Sequence, residues 1–386
     1  MRVCMISYSF YETDNRVRRY AESLARRGDH VDVISLARNE YPPIGVLNGV
    51  NVYRIQKREI NEKGKCSYLF RLLRFLFHSA YKVSRMHLRE SYDVVHVHNV
   101  PDFEVFSALI PKLGGAKIIL DIHDILPEFY ADKFKAGKEG IVFKLLLIVE
   151  KASAAFADHV IISNHIWQER MQGRSVSNGK CSVIMNYPDP AIFHPMAVSK
   201  DPQKFVLLYP GTVNRHQGLD IAIRAISLIN NEIPEAELHI IGEGPEKPAL
   251  EKLALELGLE KRVIFRKRIP LENVAEEMAK ADVGVVPKRD EGFGGEAFST
   301  KTWEFMSLNV PLILARTRID DFYFNEGVVR FFEPGNEESL ARSIVELRRN
   351  DQAREEQVRK ASGYIKDKSW ELKKQEYFNI LKQLVQ

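Results

Sequence analysis

The sequence contains little cysteine, and its cysteines form no pattern. Three occur in 386 residues, Cys4, Cys66 and Cys181. Their odd number and scattered positions fit neither a disulfide framework nor a metal-ligand spacing, and such usage is typical of a reducing compartment. The opening residues 1–8 lack the long apolar core of a signal peptide. Together these absences predict a cytoplasmic protein.

Long apolar runs, repeats and low-complexity tracts are also missing. No uninterrupted apolar run approaches the roughly 20 residues that span a bilayer. Basic and acidic residues nearly balance, at 56 and 52, and the net charge of +4 gives no reason to expect a nucleic-acid partner. The length suits two domains better than one hydrophobic core.

Two cofactor signatures are absent as well. Residues 7–14, which follow the first predicted strand, contain no glycine. The Gly-x-Gly-x-x-Gly loop of a dinucleotide-dependent dehydrogenase is therefore excluded. An Asp-x-Asp pair in a suitable loop is missing too, so we expect neither a metal nor any other bound cofactor.

What the sequence does contain is an alternation of short apolar runs and helical patterns. It begins with a strand at residues 3–7, a helix at 16–27 and a second strand at 31–36. Apolar runs without polar alternation are typical of parallel strands that are covered on both faces. Further strands of this half are predicted at residues 94–97, 118–121 and 160–163.

A proline-dense stretch at residues 185–195 precedes a second alternation of the same kind. Its strands are predicted at residues 205–209, 237–241, 263–265, 282–286 and 311–315. We therefore predict an α/β protein with domains at 1–197 and 198–365, and a final helix within 366–386 that packs back on the first domain. Ligands of doubly wound folds bind beyond the carboxyl ends of the strands, so the cleft between the domains is the expected site.

Two glutamates eight positions apart, Glu296 and Glu304, flank a predicted helix start. Ser299 and Thr300 between them are favourable helix N-caps, so the first-turn N–H groups would be available to an anion such as a phosphate. A carboxylate on each side could hold hydroxyls that flank the phosphate, as in a nucleotide-linked sugar. The alternative is a solvated acidic loop before an ordinary amphipathic helix.

Seven further segments extend this pattern over nearly the whole chain. They are residues 15–19 (NRVRR), 96–98 (HVH), 121–124 (DIHD), 160–163 (VIIS), 211–218 (GTVNRHQG), 241–245 (IGEGP) and 281–287 (ADVGVVP). With the segment 296–304, they resemble the retaining, nucleotide-sugar-dependent glycosyltransferases of family 4. The resemblance implies the GT-B fold, in which two Rossmann-like doubly wound domains face each other across the active site.

The resemblance also implies roles for the residues around the glutamate pair. Glu296 would contact the hydroxyls of the donor sugar and help to stabilise charge at its reacting carbon. Phe298, Ser299 and Thr300 would line the sugar and the diphosphate through their backbone. Glu304 would hold the hydroxyls of the ribose.

Two residues of the first domain are candidates on the same grounds. His123 would be a catalytic residue at the cleft, beside the reacting sugar or the leaving group. The alternative is a strand-end histidine that hydrogen-bonds its neighbour Asp124. Arg16 would contact the acceptor, or else be an exposed residue of the first helix.

The chain departs from the family on the diphosphate side. Members commonly place an arginine directly after the glycine that matches Gly211, and a lysine just before the next helix. Here those positions are Thr212 and Gln217. A charged leaving group needs positive charge, so Arg215 and Lys301 are the candidates to supply it. Without either, donor binding would be weak or the protein would be a degenerate member.

The nucleobase is expected at the loop of residues 266–269, which includes Arg268. In the family, the backbone of this loop contacts the base. Side chains therefore do not choose between uridine and guanosine. We expect a UDP-sugar as the co-substrate rather than a GDP-sugar.

Residues 68–90 form a predicted helix with a basic stripe. Arginine, lysine and histidine recur at positions 71, 74, 78, 82, 85 and 89. Apolar residues at 69, 72, 73, 76, 80 and 83 fall opposite, and Phe70, Phe75, Phe77 and Tyr81 flank the stripe. The pattern fits an interfacial helix on an anionic membrane, or a core-packed helix with a solvated basic face. Lys133, Lys135, Lys138 and Lys144 add positive charge in the same domain.

The combined prediction is a glycosyltransferase that transfers a sugar, with retention, from a nucleotide-diphosphate donor to a hydroxyl of a glycan. We expect a lipid-linked acceptor and a peripheral position on the inner face of the membrane. Front-face attack, with the leaving phosphate taking the acceptor's proton, would need positioning groups rather than a catalytic base. Two alternatives stay open: a nucleotide-sugar epimerase of the same fold, and a partner subunit that binds the donor without transfer.

Overall fold

The computed structural model describes residues 1–58, 65–134 and 140–386. The side chains of Cys66 and Lys133, and the whole of Lys135 and Lys138, lie outside that description. The described chain divides into two compact units, Met1–Asn186 with Lys373–Gln386, and Tyr187–Leu372. The change of unit after Asn186 comes earlier along the chain than the predicted boundary after residue 197.

The first unit is built on one largely parallel sheet. Its strands are β1 (Arg2–Ser7), β2 (His30–Ala37), β3 (Ile44–Leu47), β4 (Val50–Lys57), β5 (Val94–His98), β6 (Lys117–Ile122), β7 (His159–Ile162) and β8 (Cys181–Val183). They lie in the order β3-β4-β2-β1-β5-β6-β7-β8, with β3 antiparallel to β4 and the other neighbours parallel. Strand β5 is buried at every residue, as expected for an apolar run covered on both faces.

The hairpin of β3 and β4 is a part of this sheet that apolar runs do not predict. Strand β3 is exposed or half-buried along its length, so it carries no buried run. Its sequence signal is the turn instead. Asn48 and Gly49 both have positive φ, 50° and 81°, as a type I′ hairpin turn requires.

The second unit has a fully parallel sheet. Its strands are β9 (Phe205–Pro210), β10 (Ala236–Ile241), β11 (Val263–Arg266), β12 (Val283–Val286), β13 (Leu312–Ala315) and β14 (Arg330–Phe332). Their order is β11-β10-β9-β12-β13-β14. The predicted α/β class is thereby confirmed for both units, and each predicted strand agrees with the observed one to within one residue at each end.

Helices connect the strands of both units. In the first unit they are α1 (Asn15–Arg27), α2 (Lys65–His87), α3 (Leu109–Leu113), α4 (Leu126–Phe134), α5 (Ile141–Phe156) and α6 (His165–Arg174). In the second unit they are α7 (Leu219–Leu228), α8 (Lys247–Glu256), α9 (Leu271–Lys280), α10 (Thr300–Ser307), α11 (Arg318–Tyr323), α12 (Glu337–Arg349) and α13 (Asp351–Ile365). The last helix is α14 (Trp370–Val385).

Helix α2 packs on the first unit through a face that differs from the predicted one. Its buried residues, at steps of three and four, are Leu72, Phe75, Ser79, Val83 and His87. Leu69 and Leu73, predicted to face inward, are 50% and 38% exposed, and Phe75, predicted to flank the basic stripe, is fully buried. The physical reason is the 3-10 turn Asp102–Ala108 beside the helix. There the fully buried Glu104 accepts a hydrogen bond from the Ser79 hydroxyl, which turns the Ser79 side of α2 inward.

The outward face of α2 carries both aromatic and basic residues. Phe70, Phe77 and Tyr81 are 68%, 68% and 66% exposed. Arg74 and Arg85 are exposed on the same helix. Within the described part of the chain, none of the helices combines the length and the apolar character that crossing a bilayer would need.

Helix α14 contributes to the core of the first unit through its residues beyond Leu372. Tyr377 is fully buried, and its hydroxyl lies 2.9 Å from Nδ1 of His96 on β5. Its ring centroid lies 4.4 Å from that of Tyr20 on α1. One aromatic residue of the last helix therefore bridges the first helix and a central strand.

We predict that Tyr377→Phe lowers the free energy of unfolding by about 1–3 kcal/mol, because it leaves the buried Nδ1 of His96 without its partner. Urea denaturation measures the change. Tyr81→Phe removes the same hydroxyl from an exposed residue of α2, and we expect it to change the stability by less than about 0.5 kcal/mol. Equal effects of the two substitutions would contradict the role of the buried hydrogen bond.

Candidate active site

The first unit gathers polar side chains at the carboxyl ends of its central strands. Ser7 of β1 lies beside His98 of β5, and His98 lies beside Asp121 of β6. Because these strands are parallel, their last residues meet at one edge of the sheet. His98 and Asp121 are both fully buried there.

Asp121 is bound by Arg16 through two hydrogen bonds. The Arg16 Nε and Nη2 atoms lie 2.8 Å and 2.7 Å from the two carboxylate oxygens. Burial alone would raise the pKa of Asp121, but the Arg16 guanidinium and His123 hold it well below its usual range. Arg16 is only 5% exposed, so it is not an exposed helix residue. Its Nη1 donates to Oδ1 of Asn186 at 2.9 Å. The guanidinium is therefore fully engaged in binding Asp121 and Asn186.

His123 shares the same carboxylate. Its Nε2 lies 3.1 Å from Oδ2 of Asp121, and Nδ1 of His98 lies 3.0 Å from that oxygen. The alternative considered from the sequence, a hydrogen bond from the His123 ring to Asp124, is not what the structure shows, because the ring contacts Asp121. The backbone of His123 is held as well, because its N–H donates to Asn99 and its carbonyl accepts from Ser163, both at 2.8 Å. With 21% of its side chain exposed, His123 is the member of this group that solvent or a ligand reaches.

His96, His98 and Asp121 also offer atoms within 4.8 Å of one another, as metal ligands would. Burial lowers the pKa of both histidines, which favours the neutral rings that bind metals. Arg16, however, already occupies both oxygens of Asp121 with a fixed positive charge. A divalent cation at this place would be repelled by the guanidinium, so the donor set does not fit a metal site.

In the second unit, Gly211 and Lys301 come into close contact. A Cβ atom placed on Gly211 would lie 2.3 Å from Cε of Lys301 and 2.8 Å from its Nζ, so the lysine side chain packs directly against the glycine. The Lys301 ammonium also lies 5.1 Å from the ring centroid of Tyr209. Next to this contact, Gly242 packs with φ 159° against the Gly211 carbonyl, which a Cβ would approach to 1.7 Å.

Lys301 begins helix α10 together with Thr300, and Glu304 follows one turn later. Burial lowers the pKa of Lys301, the Glu304 carboxylate opposes that shift, and the nearby Lys288 ammonium adds to it. Ser299 is the N-cap residue by position, but its side chain makes no capping hydrogen bond. Its buried Oγ has no hydrogen-bond partner among the residues that the structure describes.

Glu296, at the other end of the motif, is 9% exposed. Its carboxylate lies 2.9 Å from Nη1 of Arg318, the first residue of α11. The Phe298 ring packs against Trp303 and Tyr323, with centroids 4.5 Å and 5.2 Å away. The ring of Phe298 is thus engaged in an aromatic cluster, which leaves its backbone as the part that could line a ligand.

The other predicted donor residues lie apart from this contact. Arg215 is exposed and lines an open cavity of about 340 Å³ with Asp220 and Arg224. Among the described residues, the lining of that cavity includes neither Gly211 nor Lys301. Thr212 is exposed and accepts a hydrogen bond from Tyr209 through its carbonyl, Gln217 contacts His216 through its side chain, and Arg268 is exposed in the loop after β11.

Comparison with known proteins identifies the family of the chain. Residues 13–186 match the glycosyl transferase 4-like domain, and residues 193–363 match the glycosyl transferases group 1 family. The chain belongs to the group 1, family 4-like glycosyltransferases. As an enzyme of this family it transfers a sugar from a nucleotide-sugar donor. The family predicted from the glutamate pair and its companion segments is confirmed.

Two curated relatives illustrate the range of the family. An uncharacterized glycosyltransferase of Methanocaldococcus jannaschii is 25% identical over 317 residues, which cover 76% of this chain and 74% of that protein. The GDP-mannose-dependent alpha-(1-6)-phosphatidylinositol monomannoside mannosyltransferase of Mycolicibacterium smegmatis is 32% identical over 103 residues. That shorter match covers 26% of this glycosyltransferase and 27% of the mycobacterial protein.

Solved structures agree on the fold. Sucrose-phosphate synthase from Thermosynechococcus elongatus superimposes with a TM-score of 0.83 at 18% identity, over 100% of this chain and 99% of that one. HepE of Anabaena, solved in complex with UDP-glucose, gives a TM-score of 0.75 at 16% identity, over 99% of both chains. The predicted GT-B fold class is confirmed by these likenesses.

Sequence reasoning did not assign roles to three residues of this glycosyltransferase that hold the candidates in place. Asp121 and His98 fix His123, and Arg318 binds Glu296. Asp121 and His98 belong to segments that resemble the family, and both lie at strand ends, which is a usable signal for a site. Arg318 follows the motif by fourteen residues, in a helix that the apolar pattern does not predict.

We predict that Arg16→Met destabilises the first unit by about 3–5 kcal/mol, because it leaves the buried Asp121 carboxylate without its cation. Urea denaturation followed by circular dichroism measures the loss. Arg18→Met on the same helix removes a half-buried i,i+4 ion pair with Glu22, and we expect a change within about 1 kcal/mol.

The pH dependence of stability should also differ between the wild type and Arg16→Met. The lowered pKa of Asp121 stabilises the folded state above the unfolded value of about 3.9, and that contribution is lost as the pH falls. Arg16→Met should remove this stabilisation. An unchanged acid limb of the stability curve would contradict the assignment.

Proposed function

We propose that this enzyme transfers the sugar of a UDP-sugar, with retention, to a hydroxyl of a lipid-linked glycan at an anionic membrane surface. The observation that carries the donor half of this proposal is the packing of Lys301 against Gly211. It brings a cation to the glycine that, in the family, precedes the diphosphate-binding arginine. Lys301 therefore replaces the missing basic residues at Thr212 and Gln217.

Desolvation of Lys301 supports this role. Lys301 is half-buried, and an ammonium withdrawn from water is costly without a partner anion, which the lowered pKa of Lys301 expresses. A diphosphate beside it would restore the lost stabilisation. The N-terminus of α10 adds unsatisfied N–H groups at the same place, which favour negative charge. Arg215, exposed in a different cavity, is the less suitable candidate.

Glu304 and Glu296 complete the proposed donor site. Glu304 follows Lys301 by three residues on the same face of α10, where its carboxylate would accept hydrogen bonds from the ribose hydroxyls. Glu296 would accept from the sugar hydroxyls and stabilise positive charge at the anomeric carbon. Its bond to Arg318 fixes one oxygen of the carboxylate.

His123 is proposed for the reacting end of the donor. Its Nε2 faces Asp121, so Nδ1 is the ring nitrogen that would contact a sugar hydroxyl or the leaving phosphate. In the proposed front-face reaction, the bond from the anomeric carbon to the phosphate oxygen breaks. The acceptor oxygen bonds to that carbon from the same side, and its proton passes to the departing phosphate. Positioning and charge stabilisation then supply the catalysis.

The choice of UDP rests on solved relatives that hold it, since the HepE structures contain UDP and UDP-glucose. The mycobacterial relative is named as GDP-mannose-dependent, so the base is a direct question for experiment. Relatives with phosphatidylinositol in their names support a lipid-linked acceptor.

Membrane association is proposed for the outward faces of three neighbouring helices. The 3-10 turn Asp102–Ala108 packs against α2, α3 and α5, which brings these helices together. Besides the aromatic residues of α2, strongly exposed apolar residues are Leu88, Leu109, Leu113, Ile141, Leu145 and Ile148. A surface this apolar, next to exposed arginines, fits the interface of an anionic bilayer better than water. Helix α2 also contacts the loop after β1, because the ring centroids of Phe75 and Tyr8 lie 5.2 Å apart.

We expect UDP to raise the melting temperature of the wild-type protein, because a ligand of the folded state stabilises it by mass action. Glu304→Ala should abolish the shift. Lys301→Met should weaken UDP binding by about 10- to 100-fold, as loss of a charge-assisted hydrogen bond implies.

Arg215→Met is the matched control, and it should bind UDP as the wild type does. If Arg215→Met weakened UDP binding and Lys301→Met did not, Arg215 would be the residue that binds the diphosphate. A rise in melting temperature with GDP but not with UDP would show that the donor carries guanosine rather than uridine. The donor site itself would be refuted if millimolar UDP, GDP and their sugars all left the melting temperature unchanged.

For the membrane surface, we predict that the wild type co-sediments with vesicles of phosphatidylcholine and phosphatidylglycerol, and more weakly with phosphatidylcholine alone. Phe77→Asp should reduce binding about tenfold or more, since it places a charge in the apolar face. Leu255→Asp, at a residue of the second unit that is 60% exposed, should not. Equal loss in both variants, or no preference for anionic lipid, would refute this surface.

A further inference from the structure

Lys288 is a buried lysine that the proposed reaction does not use. It follows strand β12 directly after Pro287 and is 2% exposed. Its ammonium lies 2.7 Å from Oδ2 of Asp320 on α11. It also donates a hydrogen bond of 2.9 Å to the carbonyl of Ala297, the residue between Glu296 and Phe298.

The pair is isolated from water on both sides. Asp320 is fully buried, and the Thr317 hydroxyl donates to the same Oδ2 at 2.5 Å. Buried ion pairs are seldom more stabilising than apolar residues of the same volume, because both charges must be desolvated. What an apolar pair could not supply is the hydrogen bond to the Ala297 carbonyl. That bond is the part of the arrangement that calls for a lysine.

Two further contacts tie the same stretch of loop to α11. The Ile319 N–H donates to the Gly295 carbonyl at 3.0 Å, and Arg318 binds the Glu296 carboxylate. Residues 295, 296 and 297 are therefore each held, in succession, by α11 or by the lysine paired with it. Glu304, by contrast, lies within the regular helix α10.

We propose that Lys288, held by Asp320, is a positioning residue that sets Glu296 for the sugar of the donor. This inference rests on the proposed function, in which Glu296 meets the sugar and Glu304 the ribose. Releasing the Ala297 carbonyl lets the segment 295–298 shift, while α10 stays in place. The consequence is specific: recognition of the sugar weakens, and recognition of the nucleoside diphosphate does not.

The test compares UDP with UDP-glucose by calorimetry, in the wild type and in the double variant Lys288→Met/Asp320→Leu. The double variant removes both charges together, so no unpaired ion is left in the core and the net charge near Lys301 is unchanged. We expect its Kd for UDP to stay within about twofold, and its Kd for UDP-glucose to rise about tenfold. Hydrolysis of UDP-glucose to UDP and glucose should slow by at least the same factor.

Two variants serve as controls. Lys288→Arg keeps a cation opposite Asp320 and a donor for the Ala297 carbonyl, so both contacts persist and both Kd values should remain near those of the wild type. Lys280→Met removes a surface lysine of the same unit, paired with Glu276 and Glu277, and should leave both Kd values unchanged. Should the double variant fail to fold, Lys288→Gln/Asp320→Asn leaves no buried charge and retains one donor for the Ala297 carbonyl, so it should show a smaller change with the same preference for UDP over UDP-glucose.

If Lys288 had a merely structural role, its loss would weaken the binding of UDP and of UDP-glucose equally. Equal changes in the two Kd values, or none in either, would overturn the inference and leave the donor site intact. If the wild type binds neither UDP nor UDP-glucose, nor the corresponding guanosine pair, the proposed function fails instead. The wild-type measurement thus separates the two failures.

Discussion

The ion pair of Arg16 with Asp121 is the interaction on which the functional edge of the first unit depends. It joins the first helix to a central strand across 105 residues of sequence. One carboxylate oxygen accepts from Arg16 and lies within hydrogen-bonding distance of His98 and His123 as well. If the guanidinium were absent, the carboxyl would take up a proton in its buried setting, and the histidines would lose the charge that orients them. The position of His123 therefore depends on Arg16, which is itself almost entirely buried.

The second unit uses the same physical solution at its own strand end. Lys288 and Asp320 form a buried pair next to β12, and the lysine extends to a backbone carbonyl of the donor motif. In both units a charge at the end of a parallel strand, or just beyond it, binds a helix elsewhere in the sequence. Such pairs contribute little net stability, but they permit few alternative geometries. A site that discriminates between ligands needs that restriction more than it needs stability.

Much of the fold could be predicted because parallel strands buried on both faces leave short apolar runs in the sequence. The hairpin of β3 and β4 escaped this reasoning, since its outer strand is exposed and only the Asn48-Gly49 turn marks it. The buried face of α2 was misassigned because Ser79, a small polar residue, meets a buried glutamate that no local pattern reveals. At the candidate site, the residue types were predictable from the family motif. Their partners were not, because Arg16 with Asp121 and Glu296 with Arg318 meet only in three dimensions.

The return of the last helix to the first unit has a consequence for how the chain matures during synthesis. Tyr377 fills a place between Tyr20 and His96, both of which are made within the first quarter or so of translation. Until the ribosome has released the region beyond Lys373, that place has no occupant and the central strand lacks its aromatic cover. The first unit must therefore wait, incomplete, while the entire second unit emerges and folds. A nascent chain stalled before this helix would expose aromatic surface that the finished enzyme hides, and would be a natural client for a chaperone.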